Sequence, residues 1–455
     1  LFPFDFICGF AASREIHFVN LPGLSIGSAR IRLPQAMNDP FPHFFRLKQK
    51  FDAPSVGDPV VATQAALAQL PARQFIKPGM TVAVGAGSRG ITNYDVIVRT
   101  VCDELKKLGA QVFIVPAMGS HGGATAEGQL DVLDHYGITE AAMGVPIRSS
   151  MDSVELGRTG EFVVYQDRHA AGADAVVLVN RIKPHTDFHG PIESGLMKMA
   201  SIGLGKQKGA YQFHQATPRM GHANALLAVA REVLKLSKIA FGIGILENQR
   251  HETARIVAVP GANMEAEELK LIAQARTLMP KLPFDVIDLL IVDEMGKNIS
   301  GAGLDTNVIR RDTIGGFIQP APNAARQIYV RSLHPLSYGN ASGIGLADYT
   351  HDRLVRAIDS KATWINAITA LTPGNARVPM HFPTDREAVA TAIQTSGCPE
   401  PRKLKALWIK NTLSCETILA SEPYLEETSK RSDLVAESPP APLAFDDRGD
   451  LVPVF

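Results

Sequence analysis

A chain of 455 residues with 45% hydrophobic composition is long enough for two or three buried cores. Its 46 basic and 46 acidic residues cancel, which leaves no electrostatic footprint for nucleic acid or an anionic membrane surface. The four cysteines, Cys8, Cys102, Cys398 and Cys415, are scattered without a CxxC pair, which argues against a thiolate metal cluster or disulfide framework and fits a reducing cytoplasm; no apolar run reaches the roughly 18 residues that cross a bilayer.

In chain order, the opening LFPFDFICGFAA has no basic leader, and MNDPFPHFFRLKQKF from Met37 reads as an ordinary protein start, so residues 1–36 are expected to be a non-native extension. MTVAVGAG then predicts a strand entering a glycine turn. Residues 93–108 place Ile97, Val101, Leu105 and Leu108 on one helical face, Gly109 stops that helix, and QVFIVPAMGS predicts a second strand. This is a βαβ unit, parallel and right-handed, and its strand ends, GAGSRGITN and MGSHGGAT, open on one edge of the sheet. The glycines of the first loop let backbone N–H groups approach an anion, with Ser88 inside it and Arg89 adding a fork for phosphate or carboxylate. No acidic residue follows at the end of the next strand, so the loop is not a dinucleotide fingerprint. His121 is flanked by glycines on both sides, which leaves its imidazole no packing role.

Residues 175–179 are too apolar for a surface element and predict a third parallel strand on the same edge. Beyond it lies NRIKPHTDFHGPIESGLMKMASIGLGKQKGAYQFHQ, which carries His185, His189, His214 and four lysines with little helical periodicity. A long loop past a buried strand, where open α/β sheets bind their ligands, is the first candidate for an active site. A helix over 222–236, strands over 239–246 and 254–259 and a helix over 265–278 complete a first α/β domain, assigned to 37–282. Strands over 286–293, 327–333 and 404–409 and helices over 362–371 and 385–395 make a second, 283–440, with a loose tail at 441–455. The fold expected is thus two α/β domains with mainly parallel sheets and an active-site cleft between them. The loop GKNISGAGLDTN offers Lys297 and Asn298 to a ligand held by the first domain.

Two histidines of near-neutral pKa can serve as base and acid on opposite sides of a substrate. A third can bind a metal, but without a carboxylate or cysteine partner it makes a poor closed site, so the residues point either to a metal held mainly by a cofactor or to no metal.

SRGITN, GSHGGAT, KPHTDF, GLMK and FHQ resemble the landmarks of the lactate racemase family, whose members use a nickel-pincer nucleotide. The resemblance covers residues 37–307 by motif. It implies His121 and His185 as the alternating acid/base pair, Lys198 as the covalent tether of the cofactor, and His214, sixteen residues later, as the nickel ligand. It also implies that Arg89 helps hold cofactor or substrate, and Ser88 and Lys297 are assigned to cofactor binding beside it. His189 stays a rival for the role of His185, and Lys206 and Lys208 for the tether. The activity implied is racemisation or epimerisation of a 2-hydroxy acid, with cofactor-making enzymes as partners and the oligomeric state open. Its alternatives are a related redox or isomerisation step on another hydroxy or sugar acid, and a non-catalytic protein that binds a nucleotide-like ligand.

Overall fold

The computed structural model describes residues 41–455 apart from Arg89, Glu161, Asp187, Gly315 and Gly316, with the backbone alone at 313, 314 and 317–319. The expected extension at 1–36 lies outside the described residues. Two sheets organise the rest, and both carry helices, as expected of an α/β chain with mainly parallel pairing.

The first sheet is ordered Gln111–Pro116, Thr81–Ala86, Ala175–Arg181, Ile239–Glu247, Thr253–Pro260, parallel except for the last pair. Its strands are runs of valine, isoleucine and alanine because both faces are covered. Val82, Val84, Val177, Val179, Ile243 and Ile245 face the helix Tyr94–Lys107 through Ile97, Val101 and Leu105. Ala83, Val176 and Leu178 face the other way, against Leu226, Ala230 and Val233 of His222–Leu236 and Leu271, Ile272 and Ala275 of Met264–Thr277. Each such side chain fully buried contributes roughly 1.5–3 kcal/mol, so this double-faced packing fixes the strand register.

That register decides where the loops emerge. Ala86 pairs with both Pro116 and Val179, and Ala175–Arg181 continues only two residues further, so the segments that follow Ala86, Pro116 and Arg181 leave from one edge. Tyr94 ties two of those exits: its hydroxyl accepts from the Gly87 N–H at 2.6 Å and donates to the Val179 carbonyl at 2.8 Å.

The second sheet is ordered Met380–Phe382, Tyr349–His351, Gln327–Leu333, Leu289–Met295, Ala406–Ile409, Thr417–Ser421, Phe44–Gln49, Leu434–Ala436. The first five strands are parallel and the last three antiparallel. Two expectations about chain organisation change here. Residues 44–49, assigned to the first domain by position, pair instead with 417–421 and 434–436, because Phe45 and Leu47 bury into the second core. The tail at 441–455 is not loose: Phe445 bridges Leu451, Leu451 is 2% exposed, and its N–H donates to Asp385 at 2.8 Å.

Candidate functional site

The stretch after Ala175–Arg181 is loop only in its first half. From Leu196 it runs as a short helix through Lys198, a π-helical turn Met199–Gly203 and the helix Lys206–Met220. Lys198 and His214 are therefore helical residues, which corrects the expectation of a loop. Single π turns inside helices are frequent at functional sites. The helix carrying His214 is disturbed at that residue as well. Pro218 has no N–H to give the His214 carbonyl four residues back, and the Thr217 hydroxyl donates to it instead at 3.0 Å.

Within the loop half, Glu193 is the organising group. Its fully buried carboxylate accepts from the His185 N–H at 2.6 Å, the Gly190 N–H at 3.0 Å and Arg276 Nη2 at 2.7 Å. Burial pushes this carboxyl up, but the donors, His189 among them, outweigh burial and leave it below the usual range. The second sheet's lobe grips the same loop from outside. Asn307 Nδ2 donates to the His185 carbonyl at 3.1 Å, Thr306 Oγ1 to the Thr186 carbonyl at 2.7 Å, and Lys183 meets Asp305 at 3.3 Å.

His185 and His189 then part ways. His189 Nε2 sits 3.2 Å from Asp312, with Glu193 on its other side at 3.8 Å, and these carboxylates raise its pKa to about 10. It is a structural cation at neutral pH and a poor base. His185 instead stacks on Phe188, with ring centroids 4.3 Å apart, and its Nε2 lies 2.5 Å from Lys198 Nζ. The far face of Phe188 stacks on His222 at 5.2 Å. His222 was legible in sequence only as the first residue of a helix; its place beside the site follows from the turn at Gly221, where φ is +76°.

His214 lies beside this stack, edge-on to Phe213 at 5.4 Å. Burial, followed by the positive charges of His222 and Lys198, pushes its pKa down to about 4, so the ring is neutral throughout the physiological range. Its Nδ1 is buried without a hydrogen-bond partner. Buried polar atoms are nearly always satisfied, and an exception calls for a reason. A neutral imidazole with an unsatisfied ring nitrogen suits a borderline metal such as nickel. The residues present thus fit a metal-bearing group joined to the neighbouring amine.

The three lysines are sharply distinct. Lys206 is fully buried; its Nζ bonds the Pro116 carbonyl at 2.7 Å, Gln129 Oε1 at 2.9 Å and Asp167 at 3.2 Å. Gln129 in turn donates to the carbonyls of Gly119 and His121 at 2.9 and 3.2 Å, so Lys206 braces the loop that presents His121. Lys208 is exposed and lies over the Tyr165 ring at 5.8 Å. Lys198 alone of the three is at an imidazole. Behind it, Glu268 accepts from the Met197 N–H at 3.0 Å, and burial raises this carboxyl to about 7.

His121 stands one loop away, exposed between residues of positive φ, Gly119 at +62° and Gly122 at +66°. A Cβ on Gly122 would come within 2.5 Å of the Gly128 backbone, which explains the glycine. The Ser88 hydroxyl contacts His121 Nδ1, which joins the first and second loops. Arg89 lies outside the described residues. Lys297 is in the second lobe, where its ammonium bonds the Gly301 carbonyl of its own loop.

His351, Asp385 and Asp450 also bring donor atoms within 4.8 Å of one another. Arg331 Nη2 and Arg353 Nη2 each lie 2.7 Å from Asp385, and His351 Nε2 is 3.0 Å from Asp450. The acidic charge there is already matched by arginine, and the cluster serves to anchor residues 450 and 451.

No protein-family profile and no curated protein matches the chain. Among solved structures it is similar to the lactate racemase apoprotein from Thermoanaerobacterium thermosaccharolyticum, at 12% identity and a TM-score of 0.48, covering 82% of this chain and 99% of that one. It is also similar to a protein from Thermotoga maritima, at 13% identity and a TM-score of 0.44, covering 70% of this chain and 83% of that one. No helix among the described residues is long and apolar enough to cross a membrane.

Proposed function

We propose that the chain is a racemase or epimerase of a 2-hydroxy acid that works with a covalently held nickel-pincer nucleotide. The observation that carries the reading is the grouping of Lys198, His185 and His214: an amine 2.5 Å from an imidazole, beside a second imidazole that is neutral and has an unsatisfied buried nitrogen. Lys198 would hold the organic part and His214 the nickel. When bound, such a cofactor supplies a hydride acceptor for the substrate's C2.

The protein's own residues supply the rest. His185 takes the proton of the substrate hydroxyl on one face and returns it in the reverse sense. His121, presented from the neighbouring loop and oriented by Ser88, does the same on the other face. Arg89 is proposed to clamp the substrate carboxylate, with Lys297 closing from the second lobe. His189 is assigned to structure rather than catalysis, because its two carboxylate neighbours keep it charged.

The test is co-expression with the cofactor-making enzymes, followed by intact mass, nickel analysis and a chirality screen of 2-hydroxy acids. The expected result is a covalent adduct on Lys198 with bound nickel, and interconversion of one pair of enantiomers. His121→Ala or His185→Ala should each slow racemisation by roughly 10²–10⁴-fold. A reversible ligand without metal would replace this reading with that of a binding protein.

A further inference from the structure

We propose that His185 has a second task, earlier than any turnover: it is the base that activates Lys198 as a nucleophile, so that the chain assists its own covalent loading. The inference deepens the proposed function and rests on it for the identity of the group that is finally attached. An ammonium has protons but no lone pair, and it forms a bond to an acyl carbon only after a proton leaves it. Imidazole is the side chain suited to receive that proton near neutral pH. Here His185 Nε2 lies 2.5 Å from Lys198 Nζ, at hydrogen-bond distance.

The contact joins two residues whose backbones are held independently. On one side, the backbone of His185 is fixed by Glu193 at 2.6 Å and Asn307 at 3.1 Å, and its ring by the stack on Phe188. On the other, Lys198 projects from a helical turn whose Met197 N–H is held by Glu268 at 3.0 Å. The Ser201 hydroxyl bonds the carbonyls of Met197 and Lys198 at 3.0 and 3.3 Å. A nucleophile and base within hydrogen-bond reach, with the base oriented by a third group, is the general signature of an activated nucleophile. Lys206 is a different case, since its Nζ is fully buried among carbonyl, amide and carboxylate oxygens, out of reach of an acyl donor.

In the step itself, the Lys198 nitrogen lone pair forms the N–C bond to an activated acyl carbon, and the bond from that carbon to its leaving group breaks with the electron pair going to the leaving group. Two protons leave the nitrogen in all: the first passes from the ammonium to His185 Nε2 and on to water before attack, and the second, surplus once the N–C bond forms, goes to His185 Nε2 and from there to the leaving group. Once the nitrogen is acylated it no longer carries an ammonium charge. His185 Nε2 is then released for the substrate hydroxyl, so one imidazole serves both steps in order.

The test uses the full chain expressed without the cofactor-making enzymes and p-nitrophenyl acetate as acyl donor, with acetylation of individual lysines followed by peptide mass spectrometry. Lys208, exposed and lying over the Tyr165 ring, is the internal standard. At neutral pH, Lys198 should be acetylated faster than Lys208 by about tenfold or more, a modest share of typical base catalysis. His185→Gln, which keeps an acceptor but no base, and His185→Phe, which keeps the stack on Phe188, should both abolish the advantage and leave Lys208 unchanged. Undiminished acetylation of Lys198 in either variant, or acetyl found on His185 in place of Lys198, overturns the proposal. If the labelling pattern holds while the cofactor-loaded chain racemises no 2-hydroxy acid, the activation of Lys198 stands and the racemase reading falls.

Discussion

Lys198 and Lys206 sit eight positions apart on one nearly continuous helical run, yet they are opposite kinds of lysine. Around Lys206 the amine is sealed in with two neutral oxygens and one carboxylate, and burial holds its pKa below the usual lysine range despite the Asp167 carboxylate. Around Lys198 the near neighbours include an imidazole at 2.5 Å and a second imidazole with an unsatisfied nitrogen. The lesson is that burial does not identify a reactive group. What surrounds it does: Lys206 is enclosed by oxygens, whereas Lys198 faces an imidazole.

The widest gap between the two is expected in stability. Lys206→Met strands Asp167 in a dry pocket and unbraces the His121 loop, so urea unfolding should show a loss of about 3–5 kcal/mol, the usual cost of breaking a buried pair. Lys198→Met should cost less than about 1 kcal/mol while abolishing covalent attachment. Similar losses for both would erase the distinction.

Next in size is a pH effect behind Lys198. A carboxyl whose folded pKa is about 7 against an ordinary 4.5 holds its proton more tightly in the folded chain. Its contribution is therefore most favourable below about 4.5 and falls as pH rises through 7, by on the order of 3 kcal/mol in total. Glu268→Gln should remove that slope; urea midpoints measured from pH 4.5 to 8 that are parallel in the two proteins would show that Glu268 is not the titrating group.

A smaller effect of opposite sign is expected at His214. Replacing its unsatisfied ring by leucine should raise stability by about 1 kcal/mol, because the buried polar atom disappears, while nickel retained on the loaded chain falls. A variant both stabilised and still nickel-replete would remove His214 from the metal's surroundings. Lys208→Ala should change least, within about 0.5 kcal/mol by thermal melting and with no loss of adduct, since an exposed contact over an aromatic ring contributes little.

How far these differences could be read in advance depended on locality. The apolar β-branched runs at 81–86 and 175–181 announce themselves, because strands covered on both faces need no polar residue. The helix Lys206–Met220 did not, since only Ala210, Phe213, Ala216 and Thr217 follow Lys206 into the core and Gly209 and Pro218 interrupt the pattern. The spacing of Lys198 and His214 picked out two residues that come to lie near one another. Telling Lys198 from Lys206, or His185 from His189, takes contacts that spacing does not show: Asp167 and Gln129 meet Lys206, and Asp312 meets His189, from distant parts of the chain, while Glu193 lies four residues from His189. The same holds for His222, whose role depends on a stack with Phe188 that no local pattern encodes.

The strand Phe44–Gln49 has a consequence for biosynthesis. Phe44 pairs with Ser421, so an early strand must await a partner made more than 370 residues later. Until the ribosome has delivered that segment, the nascent chain carries a strand with one apolar face and open edges, an invitation to pair with a stranger. The first sheet needs nothing beyond residue 260 for its strands and can close much sooner. Completion of the second lobe is thus a late, whole-chain event, and a chain terminated prematurely anywhere before Thr417 should be recognised by chaperones and proteases as unfinished even when its site-bearing half has already folded.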